Sequence, residues 1–178
     1  MPNANPLRRT LATLTGIALL LVASVAFAQR PTLEEALAAN PNLATVQDLI
    51  VTSGYIASLD DLGRYTFFAP TDAAMASLSE DEFAYLRRDR GALDVLFRHH
   101  MIQGAVPPDA LARMDAVTTV EWTRLALKVR NGTLHVGGVP IRSEPVRIDR
   151  GYLYVIDQVL QPQGATDVKD LLGLPVVD

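Results

Sequence analysis

Apolar and polar positions along the chain follow three regimes. Leu11 to Val25 carries no charge, and Ile17-Ala18-Leu19-Leu20-Leu21-Val22-Ala23 forms its apolar centre. From Thr32 to Met114 the apolar residues recur mostly at helical spacing. Thr32-Leu33-Glu34-Glu35 is a capping-box pattern: the Thr32 hydroxyl accepts from the Glu35 amide, and the Glu35 side chain reaches back. It predicts a short helix through Leu37 that Asn40-Pro41 stops. Leu43, Val46, Leu49 and Ile50 predict a second helix, with Gly54 as its stop. Tyr65-Thr66-Phe67-Phe68-Ala69 is aromatic and β-branched and reads as a buried strand ended by Pro70. Thr71 is placed to cap the next turn, with Asp72 at its positive end. Ser79-Glu80-Asp81-Glu82 is a second capping box, opening a helix with Phe83 and Leu86 on one face. Leu93, Leu96 and Phe97 carry helical spacing on towards His99 and His100, and Pro107-Pro108-Asp109 begins a further short helix.

After Ala116 the period becomes two. Leu125, Leu127 and Val129 alternate with Ala126, Lys128 and Arg130, as in a half-buried strand. Asn131-Gly132 precedes a second alternating run, Thr133-Leu134-His135-Val136. The pair predicts a type I′ hairpin, in which both central residues need positive φ. Ile141, Val146, Ile148 and Leu153-Tyr154-Val155-Ile156 supply further short strands. Helices first and antiparallel strands after them predict an α+β fold of short, mainly antiparallel strands with packed helices.

The apolar N-terminal stretch follows Arg8-Arg9 and ends in Ala26-Phe27-Ala28, small residues at the positions before a cleavage at Gln29. A basic start, a short apolar centre and an A-x-A site predict a signal peptide over 1–28. The stretch is shorter than the roughly 20 apolar residues of a membrane span, so no stable membrane insertion is expected after cleavage. The remaining chain divides into a domain over 29–164 and a tail over 165–178.

The charge changes once the leader is set aside. The full chain has 16 lysines and arginines against 20 acidic residues, and the leader holds two of the arginines and no acid. A net acidic domain without a run of Lys or Arg argues against nucleic acid as partner. With no cysteine there is no disulfide, thiolate metal site or Cys nucleophile. His99 and His100 are adjacent, so their side chains diverge and cannot readily share a metal. No cofactor and no metal is expected. The serines lie in no G-x-S-x-G context, so no catalytic residue is assigned.

Three segments carry a recognisable pattern. Thr66-Phe67-Phe68-Ala69-Pro70-Thr71-Asp72-Ala73-Ala74-Met75 resembles the first signature of the fasciclin domain, T-x-F-A-P-T-[ND]-x-A-F. Leu96-Phe97-Arg98-His99-His100-Met101-Ile102-Gln103-Gly104 resembles its central L-x-x-Y-H-x-x-x-G segment. Arg150-Gly151-Tyr152-Leu153-Tyr154-Val155-Ile156-Asp157-Gln158-Val159-Leu160-Gln161-Pro162 resembles its last signature, N-G-x-I-H-x-I-D-x-V-L-x-P. His99 stands where that pattern has tyrosine, Met75 where it has phenylalanine, Arg150 for asparagine, Leu153 for isoleucine and Tyr154 for histidine. The resemblance implies a compact wedge of short strands and helices, and an exported adhesion or matrix module without enzymatic activity.

On that resemblance Thr66, Phe68, Ala69, Pro70, Thr71, Asp72, His100, Gly104, Gly151, Ile156, Asp157, Leu160 and Pro162 are expected to specify the fold. His100 is expected to be buried and hydrogen-bonded. Asp157 is expected to be a partly buried carboxylate that holds a turn or bonds to His100. His99, His100, Ile102 and Trp122 are the candidates for partner contact; Trp122 reads equally as an interface anchor, as a partly exposed tryptophan often is, or as a core residue. The expected function is adhesion at a cell surface or matrix through a protein or glycan. The alternative is carriage of an apolar small molecule such as a lipid or pigment.

Overall fold

Each of the two S/T-x-x-E patterns closes into a reciprocal cap. Glu35 N donates to Thr32 Oγ1 at 3.2 Å while Thr32 N donates to Glu35 Oε2 at 2.8 Å. Ser79 and Glu82 exchange the same pair of bonds. These caps open helices α1 (Leu33–Ala38) and α4 (Glu80–Arg88) in a computed structural model that describes residues 29–161 and 171–172. The segment read as a signal peptide, Pro162 and most of the tail lie outside the described residues.

The remaining helices are α2 (Ala44–Ser53), α3 (Asp72–Met75), α5 (Arg90–His99) and α6 (Pro108–Leu111). Gly54 ends α2 at φ 69°, the left-handed cap expected of it. Thr71 caps α3 through its side chain, and Asp72 Oδ1 accepts from Thr45 N at 2.7 Å, tying α3 to the start of α2.

Strands β1 (Tyr65–Pro70), β2 (Met101–Gln103), β7 (Val146–Arg147) and β8 (Gly151–Ile156) form one sheet in the order β2-β1-β8-β7. Strands β3 (Ala116–Thr118), β4 (Arg124–Arg130), β5 (Thr133–Val136) and β6 (Val139–Pro140) form the second, in sequence order. Pairing is antiparallel throughout except at the centre of the first sheet. There β1 and β8 run parallel, from Tyr65 opposite Gly151 to Pro70 opposite Ile156. Every residue of β1 is buried, as suits a central strand covered on both faces. The predicted hairpin forms between β4 and β5, with Asn131 at φ 50° and Gly132 at φ 78°.

The apolar interior has two parts. One gathers α1, α2 and α5 against one face of β1, with Phe67 packed edge-on to Phe97 at 6.2 Å. The other fills the space between the sheets, where Phe68 and Tyr154 meet Leu125, Leu127 and Val136. Between them Thr66 is fully buried: its hydroxyl donates to Gly104 O at 2.8 Å and accepts from Val106 N at 2.9 Å. Replacing this hydroxyl by a methyl group of similar volume leaves a half-buried carbonyl and a half-buried amide without this partner. Thr66→Val is therefore expected to lose about 2 kcal/mol, read as a lower denaturant midpoint at unchanged slope.

Candidate functional site

The turn that joins β3 to β4 is held tightly from inside. Thr119 N donates to Thr123 O at 2.8 Å, Trp122 N to Thr119 O at 2.9 Å, and Thr123 N to Thr119 Oγ1 at 3.1 Å. The turn is also fastened to the strand behind it, through the Ile102–Thr119 bridge and a 2.8 Å bond from Val120 N to Met101 O. From α5, Arg98 Nε reaches Glu121 Oε2 at 2.9 Å and Arg98 Nη2 reaches Val120 O at 3.3 Å. At the tip stands Trp122, 84% exposed and at φ 63°. A non-glycine residue in the left-handed region costs roughly 1–2 kcal/mol, and here the side chain gains no burial in return. The fold therefore holds a large aromatic ring out in water at some expense of stability.

Beneath this turn lie the two histidines, with ring centroids 5.9 Å apart and planes at 74°. His100 is buried and fully bonded: Leu160 N donates to its Nε2 at 2.9 Å, so Nδ1 carries the proton and donates to Leu96 O at 2.8 Å. Burial pushes its pKa down to about 3, against the pull of the Leu96 carbonyl and with help from neighbouring His99. Nε2 joins the end of α5 to the chain after β8 while Nδ1 bonds back within α5, which leaves neither nitrogen for proton transfer to a substrate. His99 is equally buried, and among the described residues neither of its ring nitrogens meets a partner within strict hydrogen-bond geometry. Burial lowers its pKa too, opposed by the nearby main chain of Gln161 and by the Glu121 carboxylate.

Of the four sequence candidates for partner contact, His99, His100 and Ile102 are thus buried within the fold, and Trp122 alone offers its side chain to solvent. His99, His100 and Ile102 lie along the end of α5 and β2, and Trp122 on the β3–β4 turn that is fastened to β2 through Thr119 and Val120. Asp157 differs from expectation. It is exposed and pairs with Arg142 at 3.2 Å, while the bond to His100 is made by the Leu160 amide. Thr66, Phe68, Ala69, Ile156 and Leu160 are buried, Pro70 closes β1, and Gly104 sits at φ 96°. Sequence reading gave no sign of the Arg98–Glu121 clamp, whose partners are separated by 23 positions.

A cavity of about 580 Å3 opens elsewhere, lined by Ser77, Glu82, Gly138, Asp157 and Gln161 among others. The Glu82 cap places Oε2 on Ser79 N and Oγ, each at 2.7 Å, and leaves Oε1 buried without a partner among the described residues. An apolar ligand there would meet two carboxylates, so the geometry does not favour a lipid or pigment. Among the described residues no three His, Cys, Asp or Glu side chains are grouped to hold a metal ion, and no helix is long and apolar enough to cross a membrane.

Comparison with known proteins gives one consistent result. The model of the fasciclin domain matches residues 41–162. The chain is 22% identical over 142 residues to human periostin, covering 79% of this chain and 17% of periostin. It is 27% identical over 133 residues to protein sll1483 of Synechocystis sp., covering 74% of this chain and 73% of that protein. Among solved structures it is similar to a FAS1 domain pair from the insect cell adhesion molecule fasciclin I, with a TM-score of 0.52 and 24% identity. That match covers 68% of this chain and 46% of the pair. The chain thus corresponds to a small part of periostin and about half of the insect pair, but to most of the cyanobacterial protein.

Proposed function

The chain belongs to the fasciclin domain family, and from that premise we propose that it is an exported, non-enzymatic adhesion module that binds a protein or glycan at a cell surface or matrix. One observation carries the reading: Trp122, 84% exposed, is held at a strained backbone angle by a turn clamped on both sides. Strain kept at an exposed aromatic residue points to use of that residue, and tryptophan is enriched among residues that dominate binding energy. The name of the insect relative, a cell adhesion molecule, supports the same class of function. Export rests on the Arg8-Arg9, apolar and Ala26-Phe27-Ala28 pattern.

Two measurements test this. Intact mass of the protein recovered outside the cytoplasm is expected to correspond to a chain starting at Gln29; recovery only inside the cell overturns export. Adhesion of the purified protein to matrix and cell-surface preparations is expected to fall in Trp122→Ala by about 2 kcal/mol of binding energy or more. Trp122→Gly is expected to lose binding equally while folding up to about 1 kcal/mol more stably, because glycine adopts positive φ without strain. Undiminished adhesion by both variants would show that this turn is not the contact.

A further inference from the structure

The outward face of the second sheet carries charge of one sign. Residues directly opposite in antiparallel strands share a face. Arg124 stands opposite Thr118, Lys128 opposite His135 and Arg130 opposite Thr133, all on the side away from buried Leu125, Leu127 and Val136. No Asp or Glu occurs in any strand of this sheet. Arg142, just after β6, lines the same groove as Arg130 and His135. Four of the chain's 16 lysines and arginines therefore gather here, on a chain with 20 acidic residues. Arg142 carries a counter-charge at the edge in Asp157, whereas Arg124, Lys128 and Arg130 form no ion pair with any described residue. Lys128 facing His135 gives the sheet no opposite-charge pair across its strands.

Two surface grooves of about 200 and 300 Å3 adjoin on this face and share Arg130 and His135. The cations of β4 run from Arg124 to Arg130, about 20 Å at the rise of an extended strand. A row of that length matches charges repeated along a chain better than one isolated anion. Single-stranded nucleic acid would want aromatic side chains for its bases to stack on, and membrane insertion would want apolar ones. The strand positions of this face hold no Phe, Tyr or Trp, and their apolar members are only the small Ala116, Ala126 and Pro140. Trp122 lies two residues before Arg124, at the end of the same sheet, where the C–H face of a sugar ring can stack on it.

We propose that this face binds an acidic polysaccharide, a chain bearing repeated carboxylate or sulfate groups. The proposal rests on the adhesion reading above and extends it, by giving the ligand a chemical class and a second contact surface. Alginate and heparin oligosaccharides are the probes, with neutral dextran, phosphatidylglycerol vesicles and oligothymidylate as comparators. Binding to either acidic polysaccharide is expected, weakening as salt is raised, with none to dextran. The double variant Lys128→Glu, Arg130→Glu is expected to bind at least about tenfold more weakly at an unchanged melting temperature, since both side chains are exposed. Equal affinity of the double variant, or tighter binding to the vesicles or oligothymidylate than to both polysaccharides, overturns the proposal. Intact adhesion without binding to alginate or heparin overturns it alone. Charge-dependent alginate binding by a protein that adheres to no matrix supports it and removes only the adhesion reading.

Discussion

Gly151→Ala is expected to be the most damaging single substitution in the chain. A Cβ built on Gly151 would lie 1.6 Å from the carbonyl oxygen of Tyr65 and 2.8 Å from its carbonyl carbon. Both are main-chain atoms of β1, so no rotamer change relieves the contact. Gly54 and Gly104 serve by adopting positive φ; Gly151 is needed for the space its side chain does not occupy. Its position is the first rung of the parallel β1–β8 ladder, where Tyr65 N also donates to Arg150 O at 3.2 Å. Separating these strands disturbs both apolar clusters, since Phe67 and Phe68 on β1 point into different ones. The loss is expected to be about 3 kcal/mol or more. It should appear as a large drop in denaturant midpoint or as failure to recover folded protein. A variant as stable as the wild type would mean that β1 and β8 do not approach this closely.

His100→Ala is expected to follow, through both packing and polarity. It leaves the buried Leu160 amide without an acceptor and opens a void between α5 and the chain after β8. Together these are expected to remove about 3 kcal/mol at neutral pH. The same residue makes stability depend on pH. In the unfolded chain an imidazole titrates near its ordinary value of about 6.5, whereas in the fold His100 stays neutral down to about 3. Below pH 6.5 the unfolded state therefore binds the proton and the folded state does not. This contribution is fully present above pH 6.5 and is lost as pH falls towards 3, by at most about 1.4 kcal/mol per pH unit. His99, also lowered, adds to the loss in the same direction, with the Glu121 carboxylate facing it and opposing the shift. In His100→Ala the slope between pH 6 and pH 4 is expected to be shallower than in the wild type. An identical slope would mean that His100 is not a buried neutral group.

The features that were legible in the sequence are those closed over short distances. The two capping boxes join residues three apart, and Asn131-Gly132 needs only its own backbone angles. The aromatic and β-branched run from Tyr65 to Ala69 likewise marked β1 as a buried strand. Partners remote in sequence were less accessible. Apolar periodicity reports which residues are covered but not the direction of the neighbouring strand, so the parallel β1–β8 pairing did not announce itself. His100 was expected to bond, yet its partner is a main-chain amide 60 positions away, and no side-chain pattern identifies a main-chain donor. Asp157 follows an apolar run, and that context suggested burial; the turn after β8 instead swings it out to Arg142. The basic face was hidden for a similar reason. Arg124, Lys128, Arg130 and Arg142 form no run in the sequence and become neighbours only when β4, β5 and β6 pair.

The parallel ladder also sets the order in which the molecule can form. Its β1 strand emerges early from synthesis, yet the neighbour that completes the sheet, starting at Gly151, is nearly the last part of the domain to be made. Contacts between such distant segments are slow to establish, because a long loop must close before any of them form. A growing chain that ends before Gly151 can pair β1 with β2 and can form the second sheet, but it lacks the parallel rungs at the centre of the first. The rungs that join β1 to β8 can therefore close only once the residues from Gly151 onward are present.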